Sequence, residues 1–71
     1  MKNIALLGPD RKIVGTLTPV KEGIYDYSSI YGDVVLNVEV ERTKKGIWID
    51  YHVPGIDYQK VFVSNKKIKQ E

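Results

Sequence analysis

Asp50, His52 and Asp57 are the residues whose types and spacing come nearest to a catalytic or metal-binding set in this chain. Asp50 and His52 are two apart, so on a strand they share a face, and Asp57 follows after a turn. Carboxylates beside an imidazole can move a proton or hold a metal. The set is incomplete, however. His52 is the only histidine, and no nucleophile stands with a base and an orienting group. The glycines are scattered singly as turn residues, so no loop cradles phosphate. There is no cysteine, which removes disulfides and cysteine-based zinc sites. Asp50 and His52 are therefore read as solvent-facing strand residues, and the chain as a non-enzyme without metal or cofactor.

The binding chemistry is richer. Trp48 falls on the polar face of its strand, close to the turn that carries Arg42, Lys44 and Lys45. An exposed aromatic flanked by cations stacks bases and neutralises phosphates. Glu39, Glu41 and Asp50 share that face and oppose a polyanion. Trp48 has three further readings: covered by the tyrosine-rich stretch, packed on lysine stems, or part of a protein-binding surface with Tyr25, Tyr27 and Tyr31. The covered or lysine-packed readings are favoured for Trp48 itself, and of the two binding readings protein is preferred over nucleic acid. The lysines of the tail, Lys66, Lys67 and Lys69, are read as solvated.

The elements that position these residues show an apolar period of two. Val34, Leu36, Val38 and Val40 fall on one face, with Val35, Asn37, Glu39 and Glu41 on the other. The next stretch alternates Ile47, Ile49, Tyr51 and Val53 with Trp48, Asp50 and His52. Thr43-Lys44-Lys45-Gly46 joins them as a turn whose last position is expected to need positive φ. The apolar faces coincide if Arg42 pairs with Ile47 and Val40 with Ile49, which sets Glu39 opposite Asp50. Upstream, Ile4 and Leu6 alternate and Gly8-Pro9-Asp10-Arg11 turns the chain. Ile13, Gly15 and Leu17 share a face, and Thr18-Pro19 is expected to end that strand. Val53-Pro54-Gly55 reads as a turn, followed by a last strand from Tyr58 to Ser64. Residues 19–33 read as an ordered loop, with room for a short strand at Tyr25–Tyr27 and a serine-capped turn around Ser28–Tyr31.

These segments predict an all-β fold: a small antiparallel five-stranded SH3-like barrel, or a strongly curved sheet, with an OB-type barrel as the runner-up. One domain is expected over residues 1–64, with 65–71 a polar, frayed tail. The 71 residues carry a net charge of +2, weak support for a dedicated nucleic-acid binder. No apolar run approaches the roughly 20 residues that span a bilayer, and Ile4-Ala5-Leu6-Leu7 is short for a signal peptide. A soluble, cytoplasmic protein with no membrane partner is expected, as a monomer or homodimer.

Two resemblances add expectations. Ile24-Tyr25-Asp26-Tyr27 resembles the Ala-Leu-Tyr-Asp-Tyr signature of peptide-binding SH3 domains, whose tyrosines line a groove for proline-rich peptides; Trp48, Pro54 and Tyr58 loosely match that family's later positions. Here, however, a complete hairpin precedes the motif, against the family's spacing. Over the full chain, MKNIALLGPDRKIVGTL and VVLNVEVERTKKGIWIDYHVPG resemble the small prophage-encoded YorP-type proteins of Bacillus. That resemblance implies an SH3-like all-β fold, a phage-accessory origin and no assigned activity, so it carries no site residues over. The resulting expectation is a phage-derived, non-catalytic interaction module that binds a host or phage protein through Tyr25, Tyr27, Tyr31 and Trp48. The alternative is a weak, sequence-tolerant nucleic-acid binder using Arg42, Lys44, Lys45 and Trp48.

Overall fold

The computed structural model describes residues 2–51 and 59–70. His52, Val53, Pro54, Gly55, Asp57 and Tyr58, and the turn and trio expected there, lie outside the described residues. The chain forms seven antiparallel strands rather than five: β1 (Ile4–Leu7), β2 (Ile13–Lys21), β3 (Ile24–Ser29), β4 (Val34–Arg42), β5 (Gly46–Tyr51), β6 (Gln59–Ser64) and β7 (Ile68–Gln70). Their order in the sheet is β6-β5-β4-β3-β2-β1-β7. The first six strands are an up-and-down meander, and β7 returns along β1 to make a nearly closed barrel.

The tail is the first correction. Residues 65–70 do not fray as a unit. Asn65–Lys67 makes a 3-10 turn capped by the Ser64 hydroxyl, which accepts from the Lys66 N–H. Ile68 then pairs with Leu6, and Lys69 with Ala5. Ile68 is the one apolar residue of the tail, and it packs against the core. The second correction concerns residues 19–33. Most of this supposed loop is strand, because β2 continues through Pro19 to Lys21 and β3 pairs with it. Proline is tolerated there because β1 reaches only Leu17, so the end of β2 is paired on one side alone, and the register shifts between Pro19 and Lys21. The residues left as connections are 22–23 and 30–33, the latter a turn in which the Ser29 hydroxyl accepts from the N–H groups of Tyr31 and Asp33.

The core holds Ile4, Leu17, Tyr25, Val38, Ile47 and Ile49, all buried, with Tyr27, Val35, Val40, Tyr51 and Val63 packed against it. Leu17 is fully enclosed, a burial worth about 2–3 kcal/mol for such a side chain. The hairpin of β4 and β5 has the expected register, Arg42 with Ile47, Val40 with Ile49 and Glu39 with Asp50. Its turn differs in one respect. Positive φ occurs at Arg11, Gly23, Gly32 and Asn37, and not at Gly46. Gly46 is needed for space instead: a Cβ there would collide with the Val63 carbonyl oxygen and sit 2.9 Å from the Ser64 Cα.

The third correction lies in β4. Val38 is buried, but Leu36 and Val34 are 63% and 65% exposed. Tyr25 pairs with Val38 and Tyr27 with Val35, so Leu36 and Asn37 together face Asp26. This is a β-bulge. Asn37 adopts φ 58°, and its N–H donates to the Asp26 carboxylate at 3.0 Å. One extra residue reverses the alternation of the strand. Val35 therefore turns inward beside Val38, and Val34 and Leu36 turn out.

Candidate interaction surface

The meander gives the molecule two ends. The turns at residues 8–12 and 30–33 lie at one end, with the Ile30 N–H donating to the Val14 carbonyl. The turns at residues 22–23 and 43–45 and the 3-10 turn lie at the other. This placement decides which of the expected site residues meet.

Tyr25 and Tyr27 do not join Trp48 in one surface. Consecutive inward positions of β3 point both into the barrel: Tyr25 lies between Pro19 and Val38, and Tyr27 between Leu17 and Val35. Tyr25 is buried, and the ring of Tyr27 lies over Gly15, where a Cβ would be 2.8 Å from its Cε1. The stretch Ile24-Tyr25-Asp26-Tyr27 is thus a strand of the barrel: Tyr25 is enclosed, whereas half-buried Tyr27 lines an apolar recess with Val34, Val35, Tyr51 and Val61. Tyr31 is exposed in the turn after β3, at the opposite end of β4 from Trp48.

Trp48 is exposed and is not covered by the tyrosines. Across the sheet it stands in a row with Glu41 on β4 and Phe62 on β6. Its ring meets that of Phe62 at 5.0 Å with a tilt of 56°, an aromatic geometry worth about 0.5–1.5 kcal/mol. The Lys60 ammonium lies 5.3 Å from the centre of the indole, a cation–π contact worth about 0.5–1 kcal/mol at an exposed site. The Phe62 ring can lie there because Gly46, two residues before Trp48 on the same face, has no side chain. Thr43, Lys44 and Lys45 complete a shallow cleft with the two rings.

The turn that carries those lysines is fixed from both sides. The Thr43 hydroxyl accepts from the N–H groups of Lys45 and Gly46. The Asn65 side-chain amide donates to the Lys44 carbonyl at 2.8 Å, and its backbone N–H donates to the Lys45 carbonyl. Arg42 is not part of the cleft. It shares the parity of Val40, and its guanidinium donates to the Gln70 amide oxygen at 3.3 Å. The register expected from the sequence already placed Arg42 on the face opposite Trp48. Phe62 was missed because its pairing with Trp48 depends on the connection between β5 and β6, for which the sequence fixes no register.

Four carboxylates border a second groove beside this cleft, formed by Glu22, Glu39, Glu41 and Asp50 around Gly23, Ile24 and Val40. Lys60 occupies the position next to Asp50 across the sheet. Among the described residues no cluster of three or more His, Cys, Asp or Glu side chains is placed to hold a metal ion, and no helix is long and apolar enough to cross a membrane. Comparison with protein-family models, with curated proteins and with solved structures returned no match to this chain.

Proposed function

We propose that the chain is a non-catalytic protein-interaction module on an SH3-like barrel, which binds a partner through the cleft of Trp48 and Phe62. The supporting topology is the return of β7 along β1 after a 3-10 turn. The resemblance to YorP-type proteins adds that the partner is a host or phage protein of the bacterial cytoplasm.

The observation that carries this reading is the pair of exposed rings held beside Lys44, Lys45 and Lys60 on a turn braced by Asn65. Aromatic side chains on a rigid element are the residue types that anchor interfaces. The cationic rim selects a segment with apolar residues beside a carboxylate. A second reading, single-strand nucleic acid, is favoured by the meeting of Lys44, Lys45 and Trp48 in one place. It is opposed by the four carboxylates of the adjacent groove, which repel a phosphate chain.

Trp48 is the only tryptophan, so its emission reports on the cleft alone. Peptides pairing aromatic or aliphatic residues with aspartate are expected to shift that emission, and Lys44→Glu with Lys45→Glu to weaken the effect. An oligothymidylate is expected to leave it unchanged at moderate salt. An oligonucleotide response that falls steeply with salt would transfer the conclusion to nucleic acid. Silence toward both ligands would remove the cleft as a binding site.

A further inference from the structure

The end of the molecule opposite the cleft carries the most exposed apolar side chains among the described residues. Ile30, Tyr31, Val34 and Leu36 are each more than 60% exposed, and all four fall within seven residues of chain. Leu36 is exposed because of the bulge at Asn37, which turns it away from the interior. A bulge that places a leucine in water opposes the hydrophobic drive of the strand, and re-aiming of this kind marks a surface put to use. Single exposed leucines need no explanation, but four large apolar residues on one tip do.

Two lines point to what covers this tip. The first is position. The tip lies toward the start of β4 and the Trp48 cleft at its end, with Leu36 and Val34 roughly 17 and 23 Å along the strand from Glu41, the residue paired with Trp48. The chain therefore carries an apolar projection at one end and an aromatic recess at the other. The second is charge. Asp33 stands on the tip, where the cleft offers Lys44, Lys45 and Lys60. Arg11 and Lys12, which outnumber Asp10 on the turn at the same end as the tip, match the carboxylates of Glu22, Glu39, Glu41 and Asp50 beside the cleft. Among the described residues each end thus bears both signs, and the pattern at one end complements that at the other.

We infer that the tip of one copy of this chain docks into the Trp48–Phe62 cleft of a second copy, in a head-to-tail contact. The inference rests on the proposed binding role of the cleft and names a second copy as its occupant. Because the two surfaces lie at opposite ends, the contact is heterologous. It leaves a free tip and a free cleft on every pair, so association continues to chains of copies rather than stopping at a dimer.

Sedimentation velocity of the full chain tests this over a range of protein concentrations. The average mass of the wild type is expected to rise steadily with concentration without a plateau at two copies. Added salt is expected to weaken the association by several fold, as the charge pairs are screened. Two variants separate the surfaces. Lys44→Glu with Lys45→Glu disables the cleft and leaves the tip; Tyr31→Ser with Leu36→Ser disables the tip and leaves the cleft. All four positions are exposed, and a circular dichroism spectrum unchanged from the wild type checks the fold of both variants. Each variant alone is expected to lose at least about tenfold in association, the consequence of removing about 1.4 kcal/mol of contact. Mixed in equal amounts, they are expected to form a pair of two chains and nothing larger. A wild type that stays at the mass of one chain overturns the inference. So does a mixture that remains single while the wild type grows, since the contact is then of another kind. The peptide-induced shift of Trp48 emission is independent of these masses. A single-copy protein whose cleft still binds peptide would remove the inference and leave the proposed function standing.

Discussion

Tyr27 and Phe62 each lie over a glycine, one inside the barrel and one outside it. The ring of Tyr27 covers Gly15, and that of Phe62 covers Gly46. The local device is the same: a strand residue without Cβ leaves a hollow, and an aromatic from the next strand fills it. The consequences differ. Tyr27 completes the core, whereas Phe62 remains 40% exposed and holds one wall of the cleft beside Trp48. Filling a hollow inside stabilises the fold; filling one outside shapes a surface. What decides between them is which way each strand faces, and that depends on register and bulges rather than on residue type.

Substitution of the two glycines separates these roles, and the larger effect belongs to the outer one. A Cβ on Gly46 meets backbone as well as the Phe62 ring, and backbone in a paired strand cannot move aside. Gly46→Ala is expected to lose about 3 kcal/mol, the upper end for overpacking. The loss would appear as a lower urea midpoint at unchanged slope. A loss under about 1 kcal/mol would mean that β5 and β6 separate easily there. The cleft would then lack the rigid floor its geometry requires.

Gly15→Ala is expected to cost less, about 1–2 kcal/mol. The closest obstacle is the Tyr27 side chain at 2.8 Å, which can tilt, with the Ser28 carbonyl oxygen farther off at 3.3 Å. The effect should vanish largely in the background of Tyr27→Leu, whose side chain does not reach over Gly15. The coupling of the two substitutions measures how much of the cost is ring against methyl. Equal losses in both backgrounds would show that the Ser28 backbone, and not Tyr27, limits the space.

The parts of the fold that were legible in the sequence are those set by local rules. The β4–β5 hairpin could be read residue by residue because a short turn joins two alternating strands, which leaves one register that buries both apolar faces. The same register set Trp48 on the polar face, but whether the tyrosine-rich stretch covers it was not legible, because that depends on where β3 packs. The inward tyrosines were not legible, because β3 has only short spacers on either side and its polar sequence reads as loop until β2 and β4 flank it. The closing strand β7 was hidden for a similar reason: a single apolar residue, Ile68, commits it to the barrel, and its partner β1 lies more than sixty residues away in sequence. The bulge left one trace, an asparagine in the middle of a valine-rich strand. Asparagine is disfavoured in strands and tolerates the left-handed region. Asn37 uses that tolerance, at φ 58°.

The bulge therefore offers a sharper form of the inside–outside comparison. Asn37→Gly keeps the left-handed conformation available and is expected to change stability by less than about 1 kcal/mol. Asn37→Val forbids it, and strain of this kind costs about 1–3 kcal/mol. The valine variant can also relieve the strain by straightening β4, which would slide Leu36 inward and Val35 outward. Amide exchange and side-chain contacts of residues 34–36 distinguish the two responses. A valine variant as stable as the wild type, with Leu36 still exposed, would show that the left-handed turn at residue 37 is not what sets the alternation.

The smallest expected effect tests the same reversal most directly. Val38 and Leu36 lie two residues apart on one strand, and an unbroken alternation would make them equals. Val38 is 1% exposed and Leu36 is 63% exposed. Val38→Ala removes packed methyl groups from the core and is expected to lose about 2 kcal/mol. Leu36→Ser removes a side chain that lies mostly in water and is expected to stay within about 0.5 kcal/mol of the wild type, as surface substitutions do. A loss near 2 kcal/mol at Leu36 would place that side chain inside and abolish the bulge, and with it the exposed tip. A neutral result has a second consequence. It means that the barrel does not require leucine at this position, which leaves the side chain available to the contact proposed for the tip.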